Sequence, residues 1–491
     1  MNRKLNIFSS VGFAALSLLA CVSCGGGGNP TSEPVTSVPS SESTPSSETV
    51  SETVDNSGVD FVVPEAGFNT NETVTITFYH TMGQALQEVL DIYLEDFNIE
   101  YPNIKVISQS IGGYDDVRDQ MTTQISAGAS QCDIAYCYPD HIALYNKAKS
   151  VITLNNLIDD PEYGFSQEQK DDFVEAYYNE GKCFGDDKMY CLPFSKSSEV
   201  LYYDKTFFAK HNLTVPTTWD EMEETCRKIK AIDPISIPLG YDSSSNWFIT
   251  MCEQYGSGYT TSDPNNHFVF NNDTNKAFMK EFWSWKQEGL VTTKGLYGSY
   301  TSGLFTNLDG QRSYMCIGSS AGASYQTTTV GDKFAFDTGI VAIPQVKDGA
   351  RRAVISQGPD LCLFNSKNPQ KIMASWLLMK FLTTNVEFQA QFSISSGYTP
   401  VIKSVNDFEI YADFLENADG GKFIAALSTQ VTVSQEADYF TSPAFVGSAQ
   451  ARDEMGSLVD GILSYQDEST IDEYINSRFN AAVEACNAAA K

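Results

Sequence analysis

The first folded stretch of the chain alternates apolar and polar residues and then changes to a helical spacing. "TVTITFYH", from Thr73 to His80, is rich in β-branched and aromatic residues at a period of two, which predicts a strand. The pattern that follows predicts a helix, because its apolar residues recur three and four positions apart. These residues are Leu86, Val89, Leu90, Tyr93, Leu94 and Phe97.

The same alternation of strand and helix then repeats. "IKVISQS" predicts a second strand, Asp115 to Ala127 a second helix, and "CDIAYCYP" a third strand. This order predicts an α/β fold with a parallel sheet. Ligands of such sheets bind at the carboxyl ends of the strands, so the loops after His80, around Gly113-Tyr114 and after Tyr138 are candidate pocket walls.

Two later helices are marked by their first residues. Thr218 and Glu221 form a capping-box pattern before an apolar helical face. Asn368 followed by Pro369 is a cap with proline at the first helical position. We therefore predict helices beginning at Trp219 and at Pro369.

The N-terminal 72 residues have a different composition. Residues 1–24 combine two basic residues, a short apolar run and small residues, which predicts an export signal. Residues 25–72 are mainly Gly, Ser, Thr, Pro, Glu and Val, which predicts a disordered tether.

Composition narrows the possible functions. A length of 491 residues predicts more than one structural unit. The 32 basic and 62 acidic residues give a formal charge of −30, which argues against nucleic acid, since phosphate binding needs clustered Lys and Arg. The same charge argues against adsorption to anionic lipid and favours solubility.

The eleven cysteines suggest one structural pairing at most. The nine cysteines after Cys21 and Cys24 are an odd number, so they cannot all pair internally, and most have apolar neighbours typical of buried thiols. Cys183 and Cys191 flank "FGDDKMY", which predicts a hairpin with its turn at residues 185–187. A disulfide across that hairpin is one interpretation, and two free thiols are the other.

A longer signature occurs at "PFSKSSEVLYYDKTFFAK", Pro193 to Lys210. It resembles, position by position, the signature segment of the extracellular solute-binding proteins of bacterial ABC importers, the group that binds maltose, oligosaccharides and glycerol phosphate. "SAGASQCDIA", "VPTTWDEM", "GIVAIPQV" and "SSGYTPVIKS" follow the order of that group, and the resemblance extends from Thr73 to the C-terminus. Separately, the export signal resembles a bacterial lipoprotein signal, in which Cys21 or Cys24 would be the lipidated cysteine.

The resemblance implies a hinged fold of two α/β lobes joined by crossing strands. It places lobe I at residues 73–195 and 345–398, and lobe II at 196–344 and 399–491. The first crossing would be Phe194 to Glu199, with return crossings near residues 342–344 and 398–400. Solute would bind in the cleft between the lobes, which close on it.

Several stretches resemble the glycerol-phosphate-binding branch, among them "FYHTMG", "ISQGPDL" and "FVGSAQARDEM". By that resemblance the ligand-binding residues are Tyr114, Tyr138, Asp140, Ser197, Trp247, Ser319, Gly358, Tyr398 and Arg452. An arginine suits a phosphate, because its planar fork engages two oxygens. Carboxylate, phenol and indole groups suit a sugar or glycerol moiety.

The expected function is therefore a lipid-anchored component of an ABC importer at the outer face of the plasma membrane. Its expected partners are a small-molecule solute, the permease subunits and the membrane through the lipid, with no nucleic acid, no cofactor and no metal, and the protein is expected to be a monomer. A surface hydrolase and a ligand-sensing or adhesive lipoprotein are the alternatives. The hydrolase is disfavoured, because the four histidines are scattered and the sequence has no nucleophile elbow or metal motif.

Overall fold

The computed structural model describes residues 57–128 and 132–491. The export signal, the candidate lipidation sites Cys21 and Cys24, and the predicted tether up to residue 56 lie outside these ranges. The described residues form sixteen strands: β1 Val59–Asp60, β2 Val74–His80, β3 Ile104–Ser110, β4 Ile134–Cys137, β5 Ile152–Thr153, β6 Leu192–Pro193, β7 Glu199–Asp204, β8 Leu239–Tyr241, β9 Val291–Thr293, β10 Met315–Ser319, β11 Thr329–Val330, β12 Lys333–Phe334, β13 Thr338–Ala342, β14 Val354–Ile355, β15 Asp360–Leu363 and β16 Tyr439–Phe440.

The described part of the chain also forms eighteen α-helices. They are α1 Gln84–Glu100, α2 Tyr114–Ser126, α3 Pro139–Tyr145, α4 Asn155–Ile158, α5 Gln167–Asp172, α6 Glu175–Glu180, α7 Lys205–His211, α8 Trp219–Ile232, α9 Ser244–Tyr255, α10 Asp273–Gln287, α11 Lys294–Tyr297, α12 Ser302–Phe305, α13 Pro369–Thr384, α14 Val386–Ser396, α15 Glu409–Asn417, α16 Gly420–Ser434, α17 Ser448–Ser464 and α18 Ile471–Ala489. No helix in the described part of the chain is long and apolar enough to cross a membrane.

Two five-stranded sheets organise the fold. The first has the order β3-β2-β4-β15-β6, with β2 parallel to both β3 and β4. The second has the order β13-β7-β10-β8-β9, with β8 parallel to β9 and β10. Each sheet packs on its own large hydrophobic core, so the predicted α/β architecture of two lobes is confirmed.

The predicted helix starts are confirmed by their capping bonds. The Thr218 hydroxyl accepts a hydrogen bond from the Glu221 amide at 3.3 Å, and the Glu221 carboxylate accepts one from the Thr218 amide at 3.2 Å. The Asn368 side chain accepts hydrogen bonds from the first amides of α13, with Pro369 at the first helical position. Local side chains therefore satisfy the free amides of each first turn.

The chain passes between the sheets in three segments that lie side by side. Residues 194–198 connect β6 with β7, within the first crossing predicted from Phe194 to Glu199. Lys196 pairs with Thr399, and Ser197 pairs with Gln357, in antiparallel bridges. The predicted crossing at 398–400 thus lies next to the first one, and the third crossing segment is around Gln357.

The predicted crossing at residues 342–344 is wrong. Ile343, Ala353 and Val354 are all buried in the second core, so the chain remains there until Ile355. The next segment, from Gln357 to β15, enters the first sheet. The family resemblance marked "GIVAIPQV" but did not show that its apolar residues face the second core.

Two further segments lie in the first core, unlike their predicted assignment. Val401, Ile402 and Tyr411 pack there, although residues 399–491 were assigned to lobe II. Phe61 and Phe68 also pack there, and β1 pairs with β5, although the tether was predicted to reach residue 72. The tether prediction rested on average composition, which hid these few large apolar side chains.

The predicted hairpin at Cys183 and Cys191 is also wrong. Both thiols are free, and so are the other cysteines from Cys137 onward. Residues 181–187 form consecutive turns after α6 rather than a strand. The Cys183 carbonyl accepts a hydrogen bond from the Ala444 amide at 2.9 Å, which directs this turn toward a later segment of the chain.

Candidate ligand-binding cleft

A cavity lies beside the crossing segments and is lined from both lobes. Its walls include Tyr138, Asp140 and Glu180 on the first side and Tyr259, Ser448 and Arg452 on the second. Its volume is about 80 Å³, which is room for several water molecules or a small polar solute. Aromatic faces, acceptor carboxylates and one guanidinium therefore converge on one space.

The ends of α3 and α17 place Asp140 and Arg452 at this cavity. Pro139 begins α3 directly after β4, which positions Asp140 in the first turn at the carboxyl end of a strand. Arg452 lies in the second turn of α17, and α3 contacts α17. The sequence argument that pocket residues follow strand β4 is consistent with this placement.

Three predicted tyrosines form one cluster near the cavity. The hydroxyls of Tyr114 and Tyr398 lie 3.2 Å apart, within hydrogen-bond distance. The rings of Tyr114 and Tyr138 lie 5.0 Å apart between centroids. Burial raises the pKa of Tyr114 and of Tyr398, so both phenols stay protonated and can donate or accept hydrogen bonds.

The Arg452 guanidinium is held by a side chain of the second lobe. Its Nη2 donates a hydrogen bond to Oδ1 of Asn246, in the first turn of α9. The amide of Asn246 in turn donates to Oε1 of Glu199 at 3.1 Å. Arg452 is half-buried, so part of its guanidinium remains open to the cavity.

Ser197 and Ser319 also come together, although the sequence separates them by more than a hundred residues. The Ser319 hydroxyl donates to the Ser197 hydroxyl at 3.3 Å. Glu199 pairs with Ser319 at the end of β10, and that pairing aligns the first crossing with this strand. The two hydroxyls therefore lie at the junction of the crossing and the second sheet.

The place of Gly358 has a structural explanation. It adopts φ of +98°, and a Cβ atom there would lie 2.2 Å from the Ser195 carbonyl oxygen. Its own carbonyl accepts a hydrogen bond from Lys196 Nζ at 3.1 Å. Glycine is needed here for close contact between two crossing segments.

Trp247 is a predicted site residue that lies in the second core and not at the cavity. Its indole is completely buried in the second core, stacked on Phe282 with ring centroids 4.1 Å apart and on Tyr241 at 5.0 Å. The polar sequence before it, "YDSSSN", suggested a pocket position, but its last four residues, 243–246, form the cap and the first turn of α9. Trp247 therefore cannot contact a solute in this conformation.

A buried ion cluster at the cleft was missed by the sequence argument. Lys196 Nζ lies 3.0 Å from Glu180 Oε2 and 3.0 Å from Asp360 Oδ1, and all three side chains are buried. The Ser356 hydroxyl also donates to Glu180 at 2.9 Å. Burial alone lowers the pKa of Lys196, but the two carboxylates outweigh that effect and raise it, so the ammonium stays charged.

Glu180 and Ser356 thus line the cavity and also belong to the buried cluster around Lys196. Nothing in the local sequence of α6 distinguishes Glu180 from the many surface acids of this chain. The sequence feature that could have indicated this cluster is Lys196, a charged residue in the middle of the first crossing. The structure buries it there, and a buried lysine requires an acidic partner.

Two α/β lobes, three adjacent crossing segments and a cavity lined from both sides define a two-lobed binding protein with a hinged cleft. The comparison with family models agrees. Residues 93–418 match the bacterial extracellular solute-binding protein family, and the chain belongs to that family.

Relatives and solved structures agree with the family and the fold. The sn-glycerol-3-phosphate-binding periplasmic protein UgpB of Escherichia coli (strain K12) is 23% identical over 367 residues, which cover 72% of this chain and 80% of that protein. The structure of UgpB from Mycobacterium tuberculosis in complex with glycerophosphocholine aligns with a TM-score of 0.67, 16% identity and coverage of 84% of this chain and 99% of that chain. Maltose-bound T. maritima MalE3 aligns with a TM-score of 0.65, 18% identity and coverage of 83% and 100%.

Proposed function

We propose that this protein is the lipid-anchored solute-binding component of an ABC importer and that it captures a small polar solute by closing its two lobes. The solute is a glycerol phosphate ester or a carbohydrate, which it delivers to the permease. The observation that supports this most is Arg452, a cation at a cavity that also offers Asp140, Tyr138 and Glu180. The names of the relatives favour the same two solute classes.

The residues proposed to contact solute are those that the structure gathers near the cleft. Arg452 would bind the anionic group through its fork of donors. Asp140 and Glu180 would accept hydrogen bonds from solute hydroxyls, and the aromatic faces would pack on the carbon skeleton. The remaining proposed contacts are Tyr114, Tyr138, Ser197, Ser319 and Tyr398.

The lobes and the anchor belong to the same proposal. Lobe I would comprise residues 57–195 and 358–417. Lobe II would comprise residues 199–355 and 420–491. Cys21 or Cys24 would carry the lipid, and the protein would act as a monomer beside its permease. Radiolabelled palmitate incorporated by the wild type, and lost on changing one of these cysteines to alanine, would identify the modified residue.

Calorimetric titration tests the solute class. The panel is glycerol 3-phosphate, a glycerophosphodiester and maltose. If the solute is a phosphate ester, Arg452→Ala should weaken its binding by about tenfold or more, since a hydrogen bond to a charged group is worth 1.5–3 kcal/mol. Arg227→Ala is the matched control, because that arginine is paired with Glu223 and Glu288 on the outer surface of α8.

Titration of the same three solutes could also give results that contradict the proposal. Binding of maltose alone, unchanged in Arg452→Ala, would refute the anion site but keep the importer component. No binding of any member, or turnover of one of them, would refute the proposed function in favour of a sensing protein or a hydrolase.

A further inference from the structure

Glu199 is a buried carboxyl group at a position where the first crossing enters the second sheet. It begins β7, and only 1% of its surface is exposed. No lysine or arginine forms an ion pair with it among the described residues. A buried carboxylate needs strong compensation from hydrogen-bond donors, so the groups that surround it indicate its role.

Both carboxylate oxygens accept a hydrogen bond from a neutral side chain. Tyr241 donates its hydroxyl to Oε2 at 2.6 Å, and Asn246 donates Nδ2 to Oε1 at 3.1 Å. Gln435 donates to the Glu199 backbone carbonyl at 3.2 Å, which fixes the strand itself. Each oxygen of the ionised Glu199 carboxylate therefore has one hydrogen-bond donor.

The hydrogen bond from Asn246 to Glu199 fixes the orientation of the Asn246 amide at the cleft. A primary amide has its donor and acceptor on opposite sides, so an amide that directs Nδ2 to Glu199 directs Oδ1 away from it. Oδ1 accepts the hydrogen bond from Arg452 Nη2. The carboxylate of Glu199 thus determines which end of the amide faces the guanidinium.

Protonation of Glu199 would reverse this arrangement. A proton on Oε1 makes that atom a donor, which requires an acceptor from Asn246 and turns the amide. Nδ2 would then face the Arg452 guanidinium, and two donors would oppose each other. The guanidinium would have to leave its present position. A proton on Oε2 would instead leave the buried Tyr241 O–H without an acceptor, because its only hydrogen bond among the described residues is to Oε2.

Burial raises the pKa of Glu199 to about 7, so this change falls within the physiological range. Donation from Tyr241 and Asn246 and the charge of Arg452 oppose the effect of burial, whereas the charge of Asp242 adds to it. Asp242 is itself held by the Thr301 amide and hydroxyl, both at 2.7 Å, and is stabilised by Lys294. Ser319, opposite Glu199 on β10, is neutral.

We propose that Glu199 is a positioning residue that orients the Asn246 amide and, through it, the Arg452 guanidinium for binding of an anion. This inference rests on the proposed function, in which Arg452 contacts an anionic solute. Glu199 itself need not touch the solute. It makes anion affinity depend on pH through one buried proton.

The first test uses the free protein, so that it does not depend on any solute. The NMR resonance of Arg452 Nε should shift between pH 6 and 8 with a midpoint near 7. Glu199→Gln should abolish this shift, because glutamine does not titrate. Asn246→Ala keeps Glu199 but should also abolish the shift of the Arg452 resonance. This second variant tests the same contact if Glu199→Gln fails to fold.

Two results would overturn the positioning role. One is an Arg452 resonance in the wild type that does not move between pH 6 and 8. The other is the same shift in Glu199→Gln, which would assign the titration to a group other than Glu199.

The second test measures affinity for a glycerophosphodiester, whose single charge is constant over this pH range. Wild-type affinity should fall by about tenfold from pH 8 to pH 6, the worth of a hydrogen bond to a charged group. Glu199→Gln should bind weakly and equally at both values. Tyr241→Phe removes one donor to the carboxylate, which raises the pKa of Glu199 and should move the midpoint to higher pH.

The two tests separate the two proposals. If the diester does not bind at any pH, the anion site of the proposed function is refuted, and the NMR titration still decides whether Glu199 positions Arg452. If the diester binds with an affinity that does not change with pH, the positioning role is refuted while the anion site stands.

Discussion

Single residues at the crossing segments are constrained by backbone contacts rather than by solute. Gly358 has φ of +98°, and any side chain there would collide with the backbone of Ser195 and Lys196. The family resemblance selected this glycine as a ligand contact. The structure shows why glycine is required even without a ligand.

We expect Gly358→Ala to lower the free energy of unfolding by more than about 2 kcal/mol, because backbone strain and the collision act together. The matched control is Gly298→Ala, where φ is +85° but no atom lies within 4 Å of the added Cβ. That variant should lose about 1 kcal/mol from strain alone. Urea denaturation measures both, and equal losses would show that the contact at Gly358 relaxes without cost.

His80 is a second residue whose environment sets a measurable property. It is completely buried at the end of β2, where the Met82 amide donates to Nδ1 at 3.1 Å and Nε2 lies 2.7 Å from the Ser108 hydroxyl. Nδ1 is thus an acceptor, so the ring is neutral. Burial lowers the pKa of His80 to about 4.

A lowered histidine pKa makes stability depend on pH in a definite direction. Between pH 6.5 and 4 the unfolded chain binds a proton that the folded protein does not, so the free energy of unfolding falls on acidification, by about 3 kcal/mol from this residue. His80→Gln should lack this part of the slope. Denaturation at pH 7 and pH 4.5 tests it, and equal pH dependence in both proteins would contradict the buried neutral ring.

At the scale of elements, the starts of two helices could be predicted from their caps, whereas the segment after Cys183 and the crossing near Gln357 could not. The capping residues Thr218 and Asn368 predicted the starts of α8 and α13, because a cap acts within one helical turn. The hairpin at Cys183 failed because its ends are held by distant segments. The crossing near Gln357 was also missed, because its strand partner Ser197 lies 160 positions earlier in the chain.

The crossing segments are linked by the buried cluster of Lys196, Glu180 and Asp360. Lys196→Met removes the only cation of the cluster and leaves two buried carboxyl groups, so the free energy of unfolding should fall by about 3–5 kcal/mol. Lys170→Met is the control, since its pair with Asp159 is exposed and worth less than about 1 kcal/mol. Thermal or urea denaturation distinguishes them, and a loss below 1 kcal/mol for Lys196→Met would show that the cluster does not stabilise the fold.

At the scale of the whole molecule, the sequence predicted two α/β lobes and three of the residues that line the cavity, Tyr138, Asp140 and Arg452. It could not predict the pairings that form the site, such as Tyr114 with Tyr398 or Arg452 with Asn246, because each joins residues from distant parts of the chain. Trp247 was misplaced for the same reason. Only the packing of α9 on the second core shows that its indole faces inward.

Both lobes also meet across the cleft. Arg118 on α2 lies 3.6 Å from Asp453 on α17, next to Arg452. Arg452 of α17 lines the cavity, and Tyr114 at the start of α2 contacts Tyr138, which also lines it. Solute that bridges the lobes should therefore favour this closed arrangement over an open one.

The most direct test of that claim is the distance between the lobes with and without solute. Spin labels at Asp119 on α2 and Asp472 on α18, both exposed, would report it by electron double resonance. We predict a broad distribution in the free protein that narrows to its shorter distance with a saturating solute identified by calorimetry. An unchanged distribution with bound solute would contradict capture by closure of the lobes.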